Sequence, residues 1–389
     1  MPSGSEKKIG LVLSGGGARA GYHAGVLKGL NQVLEKSGLG QLKFDIICGT
    51  SSGAINGAFL ASRCDDLPNA VEELWESWSQ IATDDIIDAN GVRIIENATK
   101  LVFQLGFGGL FNIRSAKQLL DTAPLLNYLT KKIDFNKIKK HIEAKKLFGL
   151  SITATHYGTG SAVVFFDGSP VIEPWTRSYY IAKRTLLDIN HVLASSSIPL
   201  FFPAIKIDQA YYGDGAIRMK SPLSPAIHLG ADKVFAIGNH EMRTPVEALE
   251  INNNLRMSSV QLSDISGVVM DSLFLDGLDA DLERMERVNR YINTLSLHNQ
   301  IDTNPEKLRN IPVLAIQPSQ NLGKLALKSL HQMPAILRHM MKGIGVSDRS
   351  GAELLSYLAF EKAYSQQLLT LGFEDAIRNK KILVDWFTS

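Results

Sequence analysis

Gly49-Thr50-Ser51-Ser52-Gly53 stands between two different kinds of chain. Phe44–Cys48 before it reads as a short buried strand, and Ala54–Ala61 after it as a buried helix. A G-x-S-x-G pentapeptide at a strand-to-helix turn is the setting that a nucleophile elbow requires. The sharp turn would lift the Ser51 hydroxyl above the sheet edge, and the flanking glycines would relieve crowding around it. The plainer reading is a buried turn serine that caps the following helix.

Upstream, Ile9–Leu13 is a buried-strand run that leads into Leu13-Ser14-Gly15-Gly16-Gly17-Ala18-Arg19-Ala20-Gly21. Tyr22, Val26, Leu27, Leu30, Val33 and Leu34 then recur at helical spacing, and Gly38 and Gly40 end that helix. Consecutive glycines let the backbone approach a ligand, and their N–H groups can converge on one anion at a helix N-terminus. Gly15, Gly16 and Gly17 are therefore candidate oxyanion or phosphate donors. Nucleotide binding is the weaker reading, since neither a Gly-Lys-Ser/Thr nor a G-x-G-x-x-G pattern is present. Arg19 has three readings: it steers a phosphate headgroup, it braces this loop, or it forms a salt bridge near the helix start.

Lys146–Thr153 and Ser161–Phe166 read as strands across a turn at His156–Gly160, and Lys233–Ile237 and Pro312–Ile316 as later strands. Strands alternating with helical patterns indicate an α/β fold. Ile81–Lys131 is mostly helical, broken at Gly106, Gly108 and Gly109, and reads as a cap or a helical insertion. From Val246 the chain is helix-rich. Composition agrees with a globular protein: 389 residues, 45% hydrophobic, 21% charged. A net charge of +2 lacks the footprint of a dedicated nucleic-acid binder. Cys48 and Cys64 form no disulfide framework and have no metal-ligand spacing, so neither metal nor cofactor is expected.

Tyr212-Gly213-Asp214-Gly215-Ala216 is the third informative stretch. A carboxylate between glycines can lie close to a neighbouring backbone, although Asp-Gly is by itself a common turn. Taken in order, G-G-G-A-R-A-G, G-T-S-S-G and D-G-A resemble the patatin-like phospholipase family over about Lys8–Ala226. Ala194-Ser195-Ser196-Ser197-Ile198-Pro199, running into Phe201-Phe202-Pro203, resembles the family's segment upstream of the aspartate. The resemblance implies a three-layer α/β/α architecture with a central, mostly parallel sheet. It places a catalytic domain at residues 8–245 and a largely helical region at 246–389. It further implies a serine lipid acyl hydrolase: Ser51 attacks an ester carbonyl, Asp214 takes the proton, and Gly15, Gly16 and Gly17 hold the oxyanion. A free Asp is a poor base at neutral pH, so this chemistry requires a raised Asp214 pKa. A Ser–His–Asp triad is the rival arrangement, with His228, His240, His298, His331 and His339 in the required order and His240 in Gly238-Asn239-His240 the best placed. A carboxylesterase for short soluble esters and a non-catalytic lipid- or nucleotide-binding module also fit these motifs, less well.

The expected partner is a phospholipid or other acyl-ester lipid. Lys131–Lys146 is a lysine-rich run that reads as a solvated helical face, with attraction to anionic lipid the weaker reading. Leu322–Val346 contains Lys324, Lys328, Arg338 and Lys342 and no acidic residue. It reads either as an amphipathic membrane or lid helix, or as a core helix kinked at Pro334. There is no apparent signal peptide and no apolar run of about 18 residues, so a cytoplasmic or peripheral membrane location is expected. An exported effector without a cleaved signal would read the same way.

Overall fold

A computed structural model describes residues 7–88, 90, 96, 99, 120–199, 201–242, 245–254, 259–274, 276–297, 309–347 and 350–389. The glycine cluster at 106–109 and most of the helical cap expected around it lie outside these residues. Among the described residues ten strands form one sheet: β1 (Ile9–Leu13), β2 (Ile46–Thr50), β3 (Gly149–His156), β4 (Ser161–Gly168), β5 (Thr176–Arg177), β6 (Tyr180–Arg184), β7 (Ile205–Ile207), β8 (Ala210–Asp214), β9 (Lys233–Ile237) and β10 (Val313–Ile316). The main order is β10-β9-β1-β2-β3-β4-β6-β5. The strands from β10 to β3 run parallel, whereas β4 and β8 pair with β3 antiparallel.

Side chains alternate across the central strands, so each strand serves two cores. Leu11, Leu13 and Ile47 enter the larger cluster, while Val12, Ile46 and Cys48 enter the smaller one on the opposite face. Helix α1 (Gly21–Lys36) covers the first face, and its Val26, Leu27, Leu30, Val33 and Leu34 are all buried as the spacing predicts. Helix α2 (Ser52–Ala61) is buried along nearly all of its length. Strand β2 begins two residues later than the sequence pattern suggests. Gly49 and Thr50 belong to it because they pair with Ile152 and Thr153 of β3.

The chain beyond residue 245 supplies β10 and a set of helices: α3 (Leu262–Phe274), α4 (Leu322–Leu327), α5 (Ala335–Gly343), α6 (Ala352–Leu358) and α7 (Lys362–Arg378). Helix α7 lies along α1, where the Tyr22 hydroxyl donates to Asp375 at 3.0 Å. The segment Leu322–Val346 is two α-helices with a short 3-10 turn, Leu330–Gln332, between them. Its Leu322, Leu330, Met333, Leu337 and Met341 face inward, while Lys324, Lys328 and Lys342 face solvent.

Candidate active site

The edge of β3 explains how residues 163 apart in sequence come together. Strand β2 ascends that edge to the pair Thr50–Thr153, and β8 descends it to the pair Asp214–Ala154. The C-terminal ends of the two strands therefore meet head to head, one register step apart. Ser51 follows β2 directly, and Asp214 is the last residue of β8. The Ser51 hydroxyl donates to Asp214 Oδ2 at 2.6 Å across this junction.

Ser51 has φ 56° and ψ −130°, one of three non-glycine residues with positive φ among those described. Such backbone is sparsely populated and persists only where its surroundings enforce it. Glycine is required beside it: a Cβ at Gly53 would collide with the Leu13 and Ser14 carbonyls. The Ser51 N–H donates to Ser195 Oγ at 2.9 Å, and that hydroxyl donates to the Thr153 carbonyl at 2.5 Å. Ser195 belongs to the Ala194–Pro199 segment, but nothing in the local sequence singles it out from Ser196 and Ser197.

Asp214 is fully enclosed. Its Oδ1 accepts the Ala216 N–H at 2.9 Å, and its own carbonyl accepts the Thr155 hydroxyl at 2.7 Å. No cation pairs with it among the described residues. Burial pushes its carboxyl up to about 7, and the hydrogen bonds from Ser51 and the Ala216 N–H offset only part of that rise.

The glycine turn between β1 and α1 lies against the same point. A Cβ at Gly15 would stand 2.9 Å from that of Ser51 and 3.1 Å from the Phe274 ring. The Asn239 side chain fixes this turn by donating to the Gly15 carbonyl at 3.0 Å. The N–H groups of Gly15, Gly16 and Gly17 meet no acceptor among the described residues. Beside Ser51 opens a narrow apolar cavity of about 50 Å³, lined by Ile55, Phe59, Leu74, Trp78, Leu129 and Phe202.

Arg19 lies in the turn before α1 and is almost completely buried. Its guanidinium meets Glu353 at 2.6 Å, Asp271 at 3.3 Å and the Ser356 hydroxyl at 2.7 Å, and stacks 4.2 Å over the Tyr357 ring. These contacts fit the loop-bracing and salt-bridge readings of Arg19. His240 pairs with Asp279 at 3.2 Å, whereas the Ser51 hydroxyl is directed to Asp214. His298 lies outside the described residues. No group of three or more His, Cys, Asp or Glu side chains suited to a metal occurs among the described residues.

The fold and the junction at Ser51 define an α/β protein with a serine–carboxylate pair at a strand–helix elbow. A family model for patatin-like phospholipases matches residues 11–227, more than half the chain, and the protein belongs to that family. A stretch of 62 residues is 47% identical to Lysophospholipase nte1 of Aspergillus terreus, covering 16% of this chain and 4% of that protein. The chain thus spans only a small part of that relative. Among solved structures, it is similar to VipD from Legionella pneumophila, with TM-score 0.33 and 12% identity over 94% of this chain and 67% of the other. It is also similar to human GIVD cytosolic phospholipase A2 in complex with methyl gamma-linolenyl fluorophosphonate. There the TM-score is 0.41, with 13% identity over 98% of this chain and 58% of the other.

Proposed function

We propose that this protein is a serine lipid acyl hydrolase of the phospholipase A or lysophospholipase type. The observation that carries the reading is the 2.6 Å hydrogen bond from the Ser51 hydroxyl to a buried Asp214 that has no counter-ion among the described residues. A carboxyl with a pKa of about 7 is ionised in a useful fraction of molecules at neutral pH, yet is basic enough to accept a proton. Ser51 Oγ attacks the ester carbonyl as its proton passes to Asp214. The tetrahedral oxyanion is held by N–H groups of Gly15, Gly16 and Gly17, which otherwise lack acceptors among the described residues. Asp214 then returns the proton to the departing alkoxide, leaving an acyl-enzyme on Ser51. Water, deprotonated by Asp214, releases the fatty acid and restores the serine.

The apolar lining beside Ser51 suits the hydrocarbon of an acyl chain more than a polar group, which favours a lipid ester over a short soluble one. A long-chain substrate resides in a lipid surface, so the protein must meet one. No helix among the described residues is long and apolar enough to cross a membrane, which makes peripheral contact the proposed mode. The test is fatty-acid release from phospholipid vesicles by the wild-type protein and by Ser51→Ala. Release by the first alone is the expected result. Equal release by both would end the proposal, as would failure of a fluorophosphonate probe to label Ser51 in the wild type.

A further inference from the structure

Helix α3 is apolar on two opposite faces. Its inner residues Ser263, Gly267, Met270 and Phe274 are buried, and Phe274 reaches the glycine turn beside Ser51. Its outer residues Leu262, Ile265, Val268 and Val269 are 59%, 54%, 68% and 50% exposed, with Val260 just before them at 63%. Single exposed apolar residues are normal on any surface. Four on one face of a single helix form a patch that calls for a partner. The two carboxylates of the helix are both engaged within the protein. Asp264 accepts the N–H groups of Gln261 and Gly351, and Asp271 accepts from Arg19 and the Tyr357 hydroxyl.

Charge identifies the partner. The Ser263 N–H donates to the Ile344 carbonyl at 2.9 Å, which joins the start of α3 to the end of the acid-free segment Leu322–Val346. That segment turns its apolar residues inward and presents Lys324, Lys328 and Lys342 to solvent. An apolar strip joined by this hydrogen bond to a segment with exposed lysines and no acidic residue is complementary to an anionic lipid surface, which takes the apolar side chains into its interface and attracts the lysines. A second copy of this chain would fit worse, because a two-fold contact would bring the same cations together.

We propose that the outer face of α3, with the lysines of Leu322–Val346, docks the protein on an anionic lipid surface. The choice of lipid rests on the hydrolase reading. Docking places the surface on the same helix whose inner side packs against the glycine turn, so membrane contact and the site at Ser51 share one element.

Ser51→Ala protein, which leaves the vesicles intact, is sedimented with vesicles of phosphatidylcholine alone or mixed with phosphatidylglycerol. Binding to the mixed vesicles is expected to be on the order of tenfold stronger, and weaker at high salt. Adding Ile265→Asp and Val268→Asp should abolish binding to both, with thermal melting confirming the fold. Adding Lys342→Glu instead should cost about fivefold, on the mixed vesicles only. No binding to mixed vesicles, or binding that the double substitution leaves unchanged, overturns the proposal. So does a dimer that the double substitution converts to monomer, which would assign the face to a second copy. Labelling of Ser51 by a fluorophosphonate probe in the wild type scores the hydrolase reading separately. Labelling without docking would remove the docking surface alone, and docking without labelling would remove the hydrolase alone.

Discussion

Asp214 and Arg19 are both charged groups shut away from water beside the same sheet, yet their surroundings differ in kind. Arg19 has two carboxylates, a hydroxyl and an aromatic face around its guanidinium. Asp214 has one hydroxyl, one backbone N–H and, among the described residues, no cation. A buried charge with its counter-ions is stably ionised and ties distant segments together. A buried charge without them sits near its protonation midpoint and is ready to exchange a proton. The difference in partners, more than the shared burial, separates a paired ion from a proposed base.

The sharpest break of that comparison is Asp214→Asn. It should lower ester hydrolysis on the order of 10⁴-fold, because an amide cannot take the Ser51 proton. The fold should persist, since Asn can keep hydrogen bonds to both Ser51 and Ala216. The pH dependence has opposite signs for activity and stability. Activity needs the ionised carboxylate, so kcat/KM on a soluble ester should fall about tenfold per unit below a pH of about 7. For stability, the folded pKa lies above the unfolded value of 3.8. The contribution of Asp214 is therefore complete below about pH 4 and is lost as pH rises through about 7. The stability of Asp214→Asn relative to the wild type should rise over that window and then level off. Parallel melting curves for the two proteins from acid to alkaline pH would refute a raised carboxyl.

Arg19→Ala attacks the other half of the comparison. It removes the cation between Asp271 and Glu353, at the contact between α3, α6 and the glycine turn. Losing one partner of a buried ion cluster costs about 3–5 kcal/mol, with the lower end expected here because both carboxylates are partly exposed. Urea midpoints measure this directly. Arg19→Met combined with Glu353→Gln should recover part of the loss, since no carboxylate at position 353 is then left unpaired. If Arg19→Ala lost activity on a soluble ester with no loss of stability, Arg19 would belong with the chemistry instead.

What can be read from the chain follows the same division. The glycine turn, the Ser51 elbow and the Asp214 turn are local patterns, because backbone collisions dictate glycine at fixed offsets. Arg19 is visible in the sequence, but its partners lie 252 and 334 residues away, so no local pattern can choose among its three readings. Helix α3 carries apolar residues on both faces and so gives no one-sided periodicity to read. Leu322–Val346 reads as one helix because its apolar spacing runs on through Pro334. The structure ends one helix at Leu327 and starts another at Ala335, with Pro334 as its cap. Ser195 is hidden for a different reason. Only the register of β3 brings Thr153, and with it the Ser51 N–H, to that one of three consecutive serines.

Ser195→Ala should have the smallest effect of the set and the most selective one. The Ser195 hydroxyl links the Ser51 N–H to the Thr153 carbonyl, and all three residues are buried. Alanine leaves one buried donor and one buried acceptor unmatched, a cost of about 1–3 kcal/mol. Ser51 would then keep its positive φ through the glycine collisions alone, with its hydroxyl held more loosely. The expected result on a soluble ester is a kcat roughly ten- to a hundredfold lower, matching that free energy, with KM little changed. The midpoint of the pH profile should stay near 7, because Asp214 keeps its burial and both hydrogen-bond donors. A shifted midpoint would mean that Ser195 also shapes the environment of Asp214. An unchanged kcat in a destabilised protein would mean that the glycines alone hold the elbow.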